Sequence, residues 1–180
     1  MKDGWRTRGR CHVFGSDIAH DNGMMAWQYI IERQVDPTVL IPQLFAAIDP
    51  EFASNVREGD FIVAGRNFGT GKAHTNAYIA MEALGLRVLC ESTFVRVRRA
   101  TANLGLPLMG ECEGITSWLR TGDEIEVDVS TGTVLHIESG MCKTYPPIRE
   151  DLRRILAEGG RQGLLQRWLV EHPELSTTEN

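Results

Sequence analysis

No apolar run in this 180-residue chain approaches the roughly 20 residues needed to span a bilayer, so no transmembrane helix is expected. Cysteine is scarce. Cys11, Cys90, Cys112 and Cys142 lie far apart with no Cys-x-x-Cys spacing, which argues against a zinc framework and against an iron–sulfur cluster carried by this chain. No metal site is expected, and the four thiols read as reduced and buried. The start MKDGWRTRGR is polar and lacks an apolar core of signal-peptide length, so a cytoplasmic protein is expected. Positive charge is also short: 19 Lys and Arg stand against 24 Asp and Glu, a net charge of -5. Nucleic acid requires the opposite balance, because binding is driven by release of counterions from phosphate. The one basic run, Arg96 to Ala100, is short and reads as a helix face. Repeats, low-complexity tracts and linkers are missing too, so residues 1–180 read as a single domain. That length suffices to bury about two thirds of the unfolded chain's surface. Only the final ELSTTEN, 174–180, reads as a frayed tail.

What is present is an α/β pattern. GRCHVF (9–14) predicts a first strand, followed by an acidic loop in which Asp17, His20 and Asp21 crowd within five positions. MMAWQYIIERQV has apolar residues at Met24, Trp27, Ile30 and Ile31, a helical spacing that predicts a core face. Pro37, Pro42 and Pro50 break the next stretch into turns and one short helix. DFIVA, NAYIAMEAL and RVLCE then read as strand, helix and strand, a βαβ unit with its two strands parallel. A helix over TFVRVRRATANL follows, ended by Gly105 and Pro107. EIEVDV and TVLHIES alternate on either side of the turn STG, a hairpin. Two helices finish the chain, IREDLRRILAEG, opened by Pro146-Pro147 and stopped by Gly159-Gly160, and LLQRWLVEH.

The turn inside the βαβ unit, GRNFGTGKAH (65–74), invites a nucleotide reading and fails it. A P-loop needs Gly where Arg66 stands and Ser or Thr where Ala73 stands, and a dinucleotide fingerprint needs Gly or Ala where His74 stands. What remains is a glycine-relaxed turn leading to a helix N-terminus that carries Lys72, His74 and Thr75, an anion or carboxylate site of another kind.

Together, the Gly59-Asp60 strand entry, Ala64-Gly65-x-Asn67-Phe68-Gly69, the helix start Thr93-Phe94-x-Arg96, the exit Asn103 to Pro107 and the strand from Gly122 resemble the small subunit of isopropylmalate isomerase. The resemblance spans about residues 9–160. It implies the swivelling β/β/α domain of the aconitase superfamily, with a mixed sheet and flanking helices. It also implies a separate large subunit, in a heterodimer or heterotetramer, that holds the iron–sulfur cluster; no cofactor is expected on this chain. The pair would remove and re-add water across a small 2-hydroxy acid.

The departures fall on the loop chemistry. Where the family's turn usually reads Gly-Cys/Glu-Gly-Ser-Ser-Arg-Glu, this chain has Gly69-Thr70-Gly71-Lys72-Ala73-His74-Thr75. Lys72 replaces the base serine, Ala73 the second serine and His74 the carboxylate-clamping arginine. Upstream, the family's Asp-x-Ile-x-Thr-Asp is matched by Ser16 to Asp21, with Ile18 and Asp21 kept and His20 in place of Thr. Lys72 and His74 are therefore the candidate catalytic residues, with Asn67, Phe68, Gly69, Thr70, Gly71, Ala73, Thr75, Asp21 and His20 as the candidate substrate-binding set. Two roles stay open for Lys72: a base with pKa lowered by desolvation, or a charged anion holder. Two roles stay open for the chain, a hydro-lyase subunit with altered substrate or base, and a catalytically silent structural, regulatory or anion-binding protein.

Overall fold

The first strand, Arg6–Val13 (β1), is polar and half-exposed over its first five residues and buried from Cys11, a change that marks a change of neighbour. The computed structural model describes residues 4–173, so the tail expected at 174–180 lies outside it. Along the chain, β1 is followed by short helices Trp27–Ile31 (α1), Pro37–Leu40 (α2) and Phe52–Asn55 (α3). Then come Phe61–Ala64 (β2), Asn76–Ala83 (α4), Arg87–Cys90 (β3), Val95–Leu104 (α5) and Leu108–Met109 (β4). Glu124–Asp128 (β5), Thr133–His136 (β6), Cys142–Thr144 (β7), Glu150–Ala157 (α6) and Gly160–Glu171 (α7) complete the described fold. One seven-stranded sheet runs in the order β4-β3-β2-β1-β5-β6-β7.

Cys11–Val13 of β1 pair in parallel with β2, and Arg6–Arg10 pair antiparallel with β5. The parallel half is βαβ in character: β2, β3 and β4 run alongside one another, and β2 is buried along its whole length, as an apolar FIVA run demands. Alternation sorts the side chains. Ile62, Ala64, Val88 and Cys90 face a cluster with Phe45, Phe52, Tyr78 and Met81, under α1 to α5. Phe61, Val63 and Leu89 face Ile125, Val127 and Val134, so the antiparallel half curls to cover the other side of the sheet.

The α/β class and the mixed sheet with flanking helices agree with expectation, and several boundaries do not. Strand β1 begins at Arg6 instead of Gly9, because its arginines lie against the carboxylates of β5: Arg8 Nε is 2.6 Å from Glu124, and Arg6 reaches Glu126 and Asp128 at 3.7 and 3.9 Å. The helix expected over 24–35 is only five residues long. Trp27 and Ile31, expected in the core, are 42% and 63% exposed, since Met24 and Met25 fill the core from a turn and rotate the helix outward. Pro146-Pro147 do not open α6, which starts at Glu150, and Gly159-Gly160 start α7 four residues before its expected first residue. Cys142 is exposed, unlike the other three thiols, because it sits on the edge strand β7.

The junction where β1 changes partner is held by one buried carboxylate. Asp60 accepts from the backbone N–H of Arg10 at 3.0 Å and of Arg57 at 2.9 Å, and from His12 Nε2 at 3.0 Å. Burial alone would raise its pKa, but these hydrogen bonds outweigh burial and hold the carboxyl below the ordinary aspartate value. Asp60→Ala, which strands one buried and two partly buried donors, is expected to cost about 3–5 kcal/mol in urea unfolding. The pH sign follows from the lowered pKa: the carboxylate's contribution is complete above about pH 4 and is lost as pH falls through its folded-state value. Asp60→Asn should therefore flatten the acid limb of the stability curve, and an unchanged limb would refute this assignment.

Candidate active site

Three loops meet at the carboxyl ends of the parallel strands, residues 14–26 after β1, 65–75 after β2 and 91–94 after β3, the place where open α/β sheets gather ligands. Backbone hydrogen bonds tie them. Phe68 N–H donates to Ser92 O at 3.0 Å, Gly69 N–H to Ile18 O at 2.9 Å and His20 N–H to Thr70 O at 3.2 Å. Thr93 Oγ1 closes the first of these junctions by donating to Phe68 O at 2.6 Å. Asn67 and Asp17 both adopt left-handed backbone, φ 58° and 61°, which Asn and Asp tolerate better than most residues. Their side chains meet, with Asn67 Nδ2 donating to Asp17 Oδ1 at 2.7 Å.

Gly69 is required twice over. Its φ is +75°, and a Cβ there would stand 2.8 Å from the Tyr78 hydroxyl, 2.8 Å from Val97 Cγ2 and 3.2 Å from His20 Cε1. Those neighbours form a buried relay: His20 Nδ1 is 3.0 Å from Thr70 O, and His20 Nε2 is 2.7 Å from Tyr78 Oη. A carbonyl can only accept, so Nδ1 carries the proton and Nε2 accepts from the phenol. Burial leads the lowering of the His20 pKa, with His74 and Arg96 adding to it against the Thr70 hydrogen bond and Asp21, so the imidazole is neutral at physiological pH. Burial likewise pushes the Tyr78 phenol well up, and it keeps its proton.

Beyond Gly71 the loop leaves the protein. Gly71, Lys72, Ala73 and Thr75 are exposed, and Lys72 makes no hydrogen bond or ion pair among the described residues. The loop precedes α4, which starts only at Asn76 with Thr75 as its N-cap, so Lys72 and His74 stand ahead of the helix and not on its first turn as expected. His74 is anchored from outside: its Nε2 faces Asp21 Oδ1 at 3.2 Å without forming a hydrogen bond, and the Trp27 ring meets its edge at 5.7 Å. Asn76 fixes that corner, donating to Gln34 O at 2.5 Å behind α1. Arg96, at the start of α5, donates to Gly71 O at 2.8 Å and lies over the Phe94 ring at 4.5 Å.

The expected residues are thus brought together, in two ranks. Asn67, Thr70, Gly71, Lys72, Ala73, His74, Thr75 and Asp21 lie at or near the surface of the loop, whereas Phe68, Gly69 and His20 are buried beneath it and shape it from below. Trp27, Tyr78 and Arg96 belong to the site and were not singled out for it from sequence. For Arg96 the Thr93-Phe94-x-Arg96 motif held a signal; for Tyr78 there was none, since a tyrosine at a helical core position reads as packing. Among the described residues no group of three or more His, Cys, Asp or Glu side chains is placed to hold a metal ion, and no helix is long and apolar enough to cross a membrane.

No family model matches the chain. Individual proteins do. The 3-isopropylmalate dehydratase small subunit 1 of Methanopyrus kandleri is 38% identical over 161 residues, covering 89% of this chain and 92% of that protein. The isopropylmalate/citramalate isomerase small subunit of Methanocaldococcus jannaschii is 30% identical over 165 residues, covering 91% and 96%. A crystal structure of 3-isopropylmalate dehydratase from Methanocaldococcus jannaschii superposes with a TM-score of 0.83 at 29% identity, covering 94% of this chain and 99% of that one. With near-complete coverage in both directions and a shared mixed, curled sheet, the chain belongs to the family of 3-isopropylmalate dehydratase small subunits.

Proposed function

We propose that this chain is the smaller half of an aconitase-type hydro-lyase that removes and re-adds water across a small 2-hydroxy acid, and that it works only with a large subunit closing over Asn67–Thr75. The observation that carries this reading is the construction of the loop. Its buried half is fixed by hydrogen bonds from three loops, while its outer half presents Lys72 to solvent, with the half-buried His74 beside it and Arg96 nearby. A site built on one side only needs a second surface. An iron–sulfur cluster on that second surface would supply the Lewis acid for departure of the hydroxyl, since the described residues of this chain offer no group of three or more His, Cys, Asp or Glu side chains to hold a metal.

Within this chain the division of labour follows from exposure. Lys72 is an exposed ammonium and therefore a carboxylate partner; proton abstraction would require the large subunit to desolvate it first. His74, held by Asp21 and Trp27, offers Nδ1 to a second acidic group or to a proton in transit. A lysine and a histidine replace a bidentate guanidinium fork with two separate points, which favours a 2-hydroxy acid whose carboxylates are spaced or oriented unlike those a fork would clamp. A silent subunit would have no use for this anchoring of His74.

The isolated chain should turn over no substrate, and anaerobic coexpression with its large subunit should yield a complex that dehydrates a malate-type acid. An active preparation of the isolated chain would end this reading. In the complex, Lys72→Met is expected to raise KM about 10- to 100-fold, the loss of one charge-assisted hydrogen bond, with kcat nearly kept and Lys72→Arg tolerated. An equal drop in kcat and kcat/KM would instead make Lys72 the base, and no effect of either change on an active complex would make the loop silent. Asp21→Asn and His74→Ala should be non-additive in kcat/KM, with a coupling of about 0.5–3 kcal/mol in a double-mutant cycle; additivity would mean that the two do not act as a pair.

A further inference from the structure

The loop that carries Lys72 and His74 begins at Thr70 and is followed by α4, on which Tyr78 lies. One imidazole ties both ends. His20, reaching in from the neighbouring loop, takes the Thr70 carbonyl on Nδ1 at 3.0 Å and the Tyr78 hydroxyl on Nε2 at 2.7 Å. Neutral imidazole has one donor and one acceptor, and the hydrogen bond at one nitrogen decides which the other must be. The Thr70 carbonyl can only accept, so the proton sits on Nδ1 and Nε2 accepts from the phenol, which fixes the ring between Thr70 and Tyr78. Without the phenol, Nε2 would be a buried acceptor with no donor, and the ring would keep only one of its two fixed points. The residue after Thr70 is held at its own carbonyl by Arg96, so the backbone is fixed up to the atom from which Lys72 projects. Glycine at 69 makes room for this pair, since a Cβ there would stand 2.8 Å from the Tyr78 hydroxyl and 3.2 Å from His20 Cε1.

We propose that Tyr78, acting through His20, is a positioning residue of this loop: its hydroxyl holds in place the His20 ring that grips Thr70, and thereby sets where Lys72 and His74 stand toward substrate. The inference rests on the reading of the loop as substrate-facing. Tyr78→Phe removes the hydroxyl and keeps the ring packed among the core residues of α4, so the melting midpoint should move little while geometry at the loop relaxes. A misplacement of about 1 Å can cost on the order of 100-fold in rate, so the assembled complex should lose about 10- to 100-fold in kcat/KM. The pH profile adds a mark that packing alone would not leave. Removing a donor to the neutral imidazole lets His20 protonate more readily among the charged and titratable groups that face it, His74, Asp21 and Arg96, so the acid limb of the rate profile should move toward neutrality.

The test has two arms. Long-range proton–nitrogen NMR of the full-length labelled chain reads the His20 ring without any turnover: the wild type should show a neutral, Nδ1-protonated ring, and Tyr78→Phe should take up the second proton at a higher pH than wild type. In the active complex, kcat, KM and the pH profile of Tyr78→Phe are compared with wild type, and His20→Gln, which keeps a donor and an acceptor, should retain more activity than His20→Leu. An unchanged His20 titration in Tyr78→Phe overturns the proposal, as does an unchanged kcat/KM in an active complex. Should the wild-type complex dehydrate no 2-hydroxy acid, the functional reading fails on its own, and the NMR arm still decides whether Tyr78 governs His20.

Discussion

Strand β1 is hydrogen-bonded along both edges to neighbours that run in opposite senses, and this double use shapes the molecule. A parallel ladder must be covered on both faces, and the antiparallel ladder growing from the other edge of β1 supplies one of those covers by curling back over Phe61, Val63 and Leu89. The change of partner falls between Arg10 and Cys11. There the Arg10 N–H, which the ladder to β2 does not reach, is taken by Asp60, and the Cys11 N–H by Asp123 O at 2.8 Å. An orphaned donor at this depth would cost as much as a lost core contact, so the carboxylate is a condition of the topology.

Because β1, β2 and β3 end together, the loops that follow them meet, and each supplies what the others lack. The loop after β3 gives fixed acceptors and donors at Ser92 and Thr93, the loop after β1 gives Ile18 O, His20 and Asp21, and the loop after β2 carries the exposed Lys72 with His74 beside it. The rigid half and the open half of Gly65–Thr75 differ for a physical reason. The carbonyls of Arg66, Phe68, Thr70 and Gly71 accept from Asp17, Thr93, His20 and Arg96, whereas Lys72 and Ala73 stand exposed to solvent or to a covering partner.

Much of this was legible in the residues. FIVA and RVLC are too apolar for anything but buried strands, the alternation of Glu124–Asp128 against Thr133–His136 announces a hairpin, and Gly69 with Gly71 marks a turn that needs positive φ. The motif string from Gly59 to Asp128 carries the family resemblance by itself. The extension of β1 to Arg6 was not legible, because an Arg-Thr-Arg-Gly-Arg run favours a strand only when a carboxylate-bearing strand lies beside it. Nor were β4 and β7, two and three residues long, which exist only as additions to an edge already formed.

The chemical identity of the loop, lysine and histidine where serine and arginine are usual, is a property of the sequence alone, as are the fold class and the family. Which of those residues meet solvent and which support them is a property of the tertiary structure. His20 and Asp21 are adjacent in the chain, yet one is 1% exposed and bonded to Tyr78 while the other faces His74 at the surface. Sequence patterns register local periodicity and local backbone demand. The burial of His20 depends instead on the carbonyl of Thr70 and on a phenol 58 positions away, brought within 2.7 Å only when α4 packs on the sheet.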